Sequence, residues 1–224
     1  MAKEFELVIG DKNWSSWSLR PWLLMRQAGL DFTETPVRLR SPATKSAILQ
    51  HSPSGLVPAL KWRGKVICDS LAICELIADL YPEKKLWPRD VLIRAMARSV
   101  ACEMHSGFRD LRMEMPMDIV NHYPDAPRSD AVKNDIRRIV SIWREMRQLY
   151  GRQSAGDQGF LFGPFTVTDA MYAPVVTRFA TYEADLAEAG DDGMARAYMD
   201  CVLTLPAMRD WAAGAQAELA ARER

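Results

Sequence analysis

The chain has 224 residues, 48% hydrophobic and 26% charged, which suits a folded protein with a sizeable core, as one large domain or two small ones. Lysine plus arginine and aspartate plus glutamate both number 29, so no net field draws the chain to nucleic acid or to an anionic membrane. No apolar run reaches membrane-spanning length, and Met1-Ala2-Lys3-Glu4-Phe5-Glu6 lacks the apolar centre of a signal peptide. Cys68, Cys74, Cys102 and Cys201 are widely spaced and form no Cys-x-x-Cys pair. They read as small buried hydrophobes in a reducing cytoplasm.

Residues 4–9 alternate polar and apolar and predict a strand. Asn13-Trp14-Ser15-Ser16-Trp17-Ser18-Leu19-Arg20-Pro21-Trp22 follows. Leu19, Trp22, Leu23 and Arg26 recur at helical spacing, with Pro21 in the first turn and Gly29 as the stop. Ser15, Ser16 and Ser18 therefore stand where a strand gives way to a helix. The first N–H groups of a helix have no intrahelical partner, so hydroxyls there can cap the helix or hold an anion.

Residues 32–39 alternate again, and Pro36 argues for an edge strand. A short helix over 43–50 leads into His51-Ser52-Pro53-Ser54-Gly55. The apolar runs 56–62 and 65–68, joined across Arg63-Gly64, predict a hairpin. Asp69-Ser70 then opens a helix over 71–80 that ends at Tyr81-Pro82. The order β-α-β-α-β-β-α implies a mixed sheet with helices packed on it.

Pro82-Glu83-Lys84-Lys85-Leu86-Trp87-Pro88 is a proline-bounded polar link, expected to separate an α/β domain, 1–82, from an all-α domain, 90–224. Helical patterns cover 90–115, 129–150, 167–185, 191–203 and 206–222. Thr166-x-x-Asp169 ahead of an apolar run reads as a capping box with a folding role. Arg137, Arg138, Arg144 and Arg147 alternate with Asp135 and Glu145 and read as a solvated face. The three histidines stand at no metal-ligand spacing, and no metal is expected.

Taken together, Ser15-Ser16-Trp17-Ser18-Leu19-Arg20, Val57-Pro58, Asp69-Ser70-Leu71-Ala72-Ile73 and Thr166-Val167-Thr168-Asp169 resemble the glutathione S-transferase family over essentially the whole chain. The nearest likeness is to its serine-type, zeta-like bacterial branch. The resemblance implies a thioredoxin-like N-terminal domain, an all-helical C-terminal domain and glutathione as cosubstrate. It also implies a homodimer, with Trp62 and the helices near 90–115 as candidate contacts, and a role in detoxification.

Residue by residue, the resemblance gives Ser15, with Ser16 second, the role of hydroxyl donor to the glutathione sulfur, and turns Ser18 into the helix. It implies a cis bond before Pro58, with Val57 pairing its backbone to the cysteinyl unit as an added strand would. Ser70 and the helix end would take the γ-glutamyl carboxylate, and Asp69 its amine. Many family members have glutamate at the Asp69 position, so the reach to the amine is shorter here. Trp17, His105, Phe108, Arg109, Arg112 and Met113 would wall the site of a small electrophile, since aromatics and methionine adapt to apolar surfaces and arginine holds acids. The same residues, without the resemblance, read as a methionine-rich core face with solvated arginines.

The expected activity is glutathione transfer. A maleylacetoacetate-type isomerase and a noncatalytic binding module are the alternatives, and dehalogenase and peroxidase chemistry also fit the motifs.

Overall fold

The computed structural model describes residues 3–222. Strand β1 (Phe5–Gly10) is central, flanked by parallel β2 (Phe32–Val37) and antiparallel β3 (Ala59–Trp62), with β4 (Lys65–Cys68) outside β3. The order β2-β1-β3-β4 leaves β2 at an edge, where Pro36, opposite Ile9, removes a ladder donor at little cost. Arg63 and Gly64 both have positive φ, 47° and 70°, as a two-residue hairpin turn with the twist of its strands requires. Val57 and Pro58, expected to begin the third strand, lie just before it, joined by a cis bond.

Helix α1 (Ser16–Gln27) buries nearly every residue from Ser16 to Met25, and Gly29, at φ 70°, turns the chain out of it. Pro21 is the sixth residue of α1 rather than part of its first turn, because the helix starts at Ser16. A short α2 (Thr44–Leu49) and α3 (Ser70–Leu80) complete the α/β half. A 3-10 turn, Pro82–Lys84, leads to α4 (Val91–Ser106), α5 (Arg109–Glu114), α6 (Asp130–Met146), α7 (Val167–Thr181), α8 (Met194–Leu203) and α9 (Pro206–Arg222).

Helix α7 is buried almost all round, and α1, α4 and α8 pack against it. Trp143 of α6 fills the core beside Tyr172, Phe179 and Tyr198, with ring centroids 5.8, 5.3 and 4.9 Å away. The expected capping role of Asp169 holds. Its carboxylate accepts from the Thr166 amide (2.8 Å), the Thr166 hydroxyl (2.9 Å) and the Leu161 amide (3.0 Å).

Several expectations are corrected. The helical pattern over 90–115 is two helices, broken at Gly107 and at Phe108, which adopts a left-handed φ of 56°. A Cβ at Gly107 would stand 2.7 Å from the Glu103 carbonyl, so this break needs a glycine. Of the cysteines only Cys74 is buried; Cys102 is exposed on α4, and Cys68 and Cys201 are half-buried. Arg147 leaves the solvated face, turning inward to Asp157 (2.7 Å) and the Phe160 carbonyl (2.6 Å), because the chain there makes a π turn, Arg147–Gly151. Among the described residues no helix is long and apolar enough to cross a membrane.

Candidate active site

The loop from Asp11 to Trp14 carries the chain from β1 into α1, and both flanking regions hold it. Asn13 donates to Asp118 (2.8 Å) and accepts from the Val120 amide (2.9 Å). From α9, Trp211 donates to the Lys12 carbonyl (2.8 Å), Glu218 accepts the Lys12 amide (2.8 Å), and Arg222 pairs with Asp11. Side chains more than a hundred residues away thus fix where Ser15 stands.

Ser15 is the N-cap residue of α1, yet its hydroxyl caps no helix amide. It donates to Ser18 Oγ at 2.7 Å, and Ser18 Oγ also accepts the Gly10 amide at 3.1 Å. The resulting row runs from the end of β1 through Ser18 to Ser15, and all three residues are buried. Ser16 Oγ has no hydrogen-bond partner among the described residues, and neither do the amides of Trp17 and Ser18 at the open end of the helix. Those two donors and the helix dipole make this end favourable to an anion.

A cavity of about 400 Å³ lies beside the start of α1, walled by Trp17, Ser54, Leu56, Val57, Pro58, Cys68, Asp69 and Ser70. All four residues assigned to glutathione from the sequence, Val57, Pro58, Asp69 and Ser70, meet in it. Its size suits a small-molecule ligand. Neither Ser15 nor Ser16 forms its wall; α1 enters it through Trp17. The Val57 backbone makes no hydrogen bond to another described residue, and the Ser70 hydroxyl is buried without a partner. Buried polar groups are seldom left unpaired, so these donors and acceptors fit a peptide-like ligand.

Asp69 holds a positive φ of 80°, which costs a non-glycine residue about 1–3 kcal/mol. Its Oδ1 caps α3, accepting the amides of Leu71 (2.8 Å) and Ala72 (3.2 Å). Its Oδ2 faces His105 Nε2 of α4 at 3.2 Å. One oxygen serves the helix and the other faces the helical domain.

Around Trp17 the structure gathers His105 edge-on (5.4 Å between centroids) and the guanidiniums of Arg20 (4.2 Å) and Arg112 (4.8 Å). Arg20 is 1% exposed, with Nε and Nη1 unpaired; burial first, then Arg112 and Arg178, pull its pKa down to about 9. It stays charged at neutral pH and leaves positive charge behind the indole. Arg112 donates to the carbonyls of Met104 and His105. Phe108 is buried in the core, whereas Arg109 and Met113, the latter 71% exposed, lie on the outer face of α5. Of the six residues expected at a second-substrate wall, Trp17 lines the cavity and His105 and Arg112 stand against its ring, whereas Phe108 is in the core and Arg109 and Met113 face outward.

Sequence reasoning gave no role to the Arg20 side chain. A lone arginine inside the apolar run from Leu19 to Met25 was the available signal. A roomier cavity of about 600 Å³ opens elsewhere, between Trp87, Ile93, Tyr150 and Phe162, and holds none of these candidate catalytic groups.

Residues 14–80 match the family model described as glutathione S-transferase, N-terminal domain. The chain is 25% identical to a probable maleylacetoacetate isomerase of Caenorhabditis elegans, over 76% of this chain and 77% of the relative. It is 26% identical to a zeta-class glutathione S-transferase of Euphorbia esula, over 74% of each. In fold it is similar to a glutathione transferase homologue from Burkholderia GL BGR1 solved with bound glutathione, at TM-score 0.69 and 19% identity, covering 96% of this chain and 100% of the other. The fold, a thioredoxin-like sheet with an all-helical second half, is that of the glutathione S-transferases. Residues 14–80 are thus similar to the N-terminal domain of that family, and the relatives the chain is similar to include a zeta-class transferase and maleylacetoacetate isomerases.

Proposed function

We propose that the protein is a glutathione transferase in which Ser15 holds the thiolate of glutathione for attack on a small electrophile. One observation carries the reading: the unpaired Val57 backbone and Ser70 hydroxyl line one cavity, which Trp17 of the first turn of α1 also walls. Glutathione supplies the nucleophile, a thiolate. The protein's part is to bind the peptide and keep its sulfur ionised near neutral pH.

The binding follows from the cavity. The Ser70 hydroxyl and its own amide, at the start of α3, take the γ-glutamyl carboxylate, Asp69 Oδ2 takes the ammonium, and Val57 pairs with the peptide backbone. At the sulfur, Ser15 turns its proton outward. Ser18 then donates to Ser15 Oγ while still accepting from the Gly10 amide, so the row of hydrogen bonds reverses at one link and none is lost. An ordinary thiol titrates near ~8.5. A helix end supplies about 0.3–1 kcal/mol, less than one pKa unit. A hydrogen bond to the charged sulfur adds roughly 1.5–3 kcal/mol, one to two units. The helix end alone is too weak, and a hydroxyl is needed.

A second reading uses the same thiolate: isomerisation of an acidic substrate of the maleylacetoacetate type. Arg20 and Arg112 against Trp17 favour it, because they put positive charge beside the cavity without a carboxylate of their own at hydrogen-bond distance. Retention on immobilised glutathione tests binding, and turnover of a broad electrophile beside maleylacetoacetate separates the two activities. Retention without either turnover would make the protein a binding module.

The assembly proposed is a cytoplasmic homodimer through Trp62, α4 and neighbouring surface. Leu56, Val91 and Leu92 support it, being exposed by 66%, 71% and 68% although apolar. Light scattering should give twice the 25.3 kDa of one chain at micromolar concentration; a single-chain mass would refute the dimer.

A further inference from the structure

Asp69 has one oxygen to offer a ligand. Oδ1 is committed to the amides of Leu71 and Ala72, and Oδ2 lies 3.2 Å from His105 Nε2. An ammonium seated on Asp69 must therefore come to the oxygen that His105 already faces. With the imidazole neutral, Asp69 keeps its full charge for the ammonium. With the imidazole protonated, the pair is neutral and a second cation meets repulsion.

We propose that His105, from the helical domain, is a specificity-determining residue for the glutathione head group, admitting the ammonium to Asp69 only when its imidazole is neutral. This rests on the glutathione-binding reading above. It gives the helical domain a part in glutathione recognition as well as in holding the second substrate.

The groups around the ring act in a consistent direction. Burial lowers the His105 pKa below its ordinary 6.5, Asp69 opposes the shift, and Arg20 of α1 and Arg112 of α5 reinforce it. Trp17 of α1 packs edge-on against the ring, and Nδ1 is buried with no partner among the described residues. An unpaired Nδ1 lone pair is tolerable there, whereas protonation would bury an unpaired N–H on a cation. The site thus favours the neutral ring at neutral pH, and acid should close it to the head group.

The test is calorimetric binding of S-methylglutathione from about pH 8 to about pH 5. Its sulfur cannot ionise, and its ammonium and carboxylates keep their charges over most of that range. Wild type should hold a constant Kd near neutrality and weaken by up to about tenfold per pH unit below the His105 midpoint. His105→Gln, whatever its affinity near pH 8, should show a nearly flat profile from there down to about pH 5. His105→Phe, which keeps a ring against Trp17, should be flat as well. Equal slopes in wild type and both variants, or a flat wild-type profile, overturn the inference. Failure of wild type to bind near pH 8 overturns instead the glutathione reading on which it rests.

Discussion

The hydroxyl of Ser15 donates to that of Ser18 at 2.7 Å, three residues on in the same turn. Ser18 is the buried anchor, since it also accepts the Gly10 amide at 3.1 Å and ties the start of α1 to the end of β1. Ser18→Ala leaves that amide without a partner and should destabilise the protein by about 1–3 kcal/mol. It should also raise the pH midpoint of turnover, by less than loss of Ser15 does. Denaturant unfolding and a pH–rate profile measure the two effects; unchanged stability would mean that Gly10 finds another acceptor.

Asp69 does two jobs, and two substitutions separate them. Asp69→Asn keeps an acceptor for the α3 amides while removing the charge, so stability should change little and the KM for glutathione should rise about tenfold with kcat nearly constant. Asp69→Ala should add a loss of about 1 kcal/mol in stability from the missing cap. A depressed kcat at unchanged KM would place Asp69 at the chemistry instead of the head group.

Asp169 is a folding residue. Its carboxylate is fully buried, carries a pKa raised to about 6 by burial against the bonds that lower it, and satisfies three donors. Asp169→Ala strands those donors and should cost about 3 kcal/mol or more, read as a large drop in Tm. Glutathione affinity of the fraction that folds should match wild type. A loss below about 1 kcal/mol would mean that the loop before α7 rearranges to satisfy them.

Acid stability should depend on Glu34. Burial would raise its pKa, but Lys12 (2.8 Å), Trp22 (2.8 Å) and Arg26 together hold it below the ordinary 4.5. The unfolded chain therefore takes up this proton first as pH falls. The stabilisation is complete above about 4.5 and is lost as pH drops through the lowered value. The stability gap between wild type and Glu34→Gln should narrow over that range; a gap constant with pH would contradict the assignment.

Much of the α/β half was legible because its signals are local. The alternation at 4–9, the Arg63-Gly64 turn and Pro36 on an edge each follow from a few adjacent residues. The convergence of Val57, Pro58, Asp69 and Ser70 followed from family motifs rather than spacing. The break at Gly107 was missed because methionines and arginines continue a helical pattern across it, and the deciding contact is a Cβ against the Glu103 carbonyl. The Asp69–His105 contact and the hold of α9 on Lys12 join residues distant in sequence, which periodicity cannot register. Exposure of Arg109 and Met113 depends on which face of the short α5 meets the core.

Turnover against pH for Ser15→Ala, with Ser16→Ala alongside, tests the central claim most directly. Both serines are buried at the start of α1, but only Ser15 belongs to the row that runs through Ser18 to the Gly10 amide. Ser15→Ala should fold, bind glutathione nearly as wild type does, and move the midpoint of turnover upward by about one to two pH units. Ser16→Ala should leave the midpoint where it is. A shift in Ser16→Ala alone would move the role by one residue, and no shift in either would refute a serine-held thiolate in this protein.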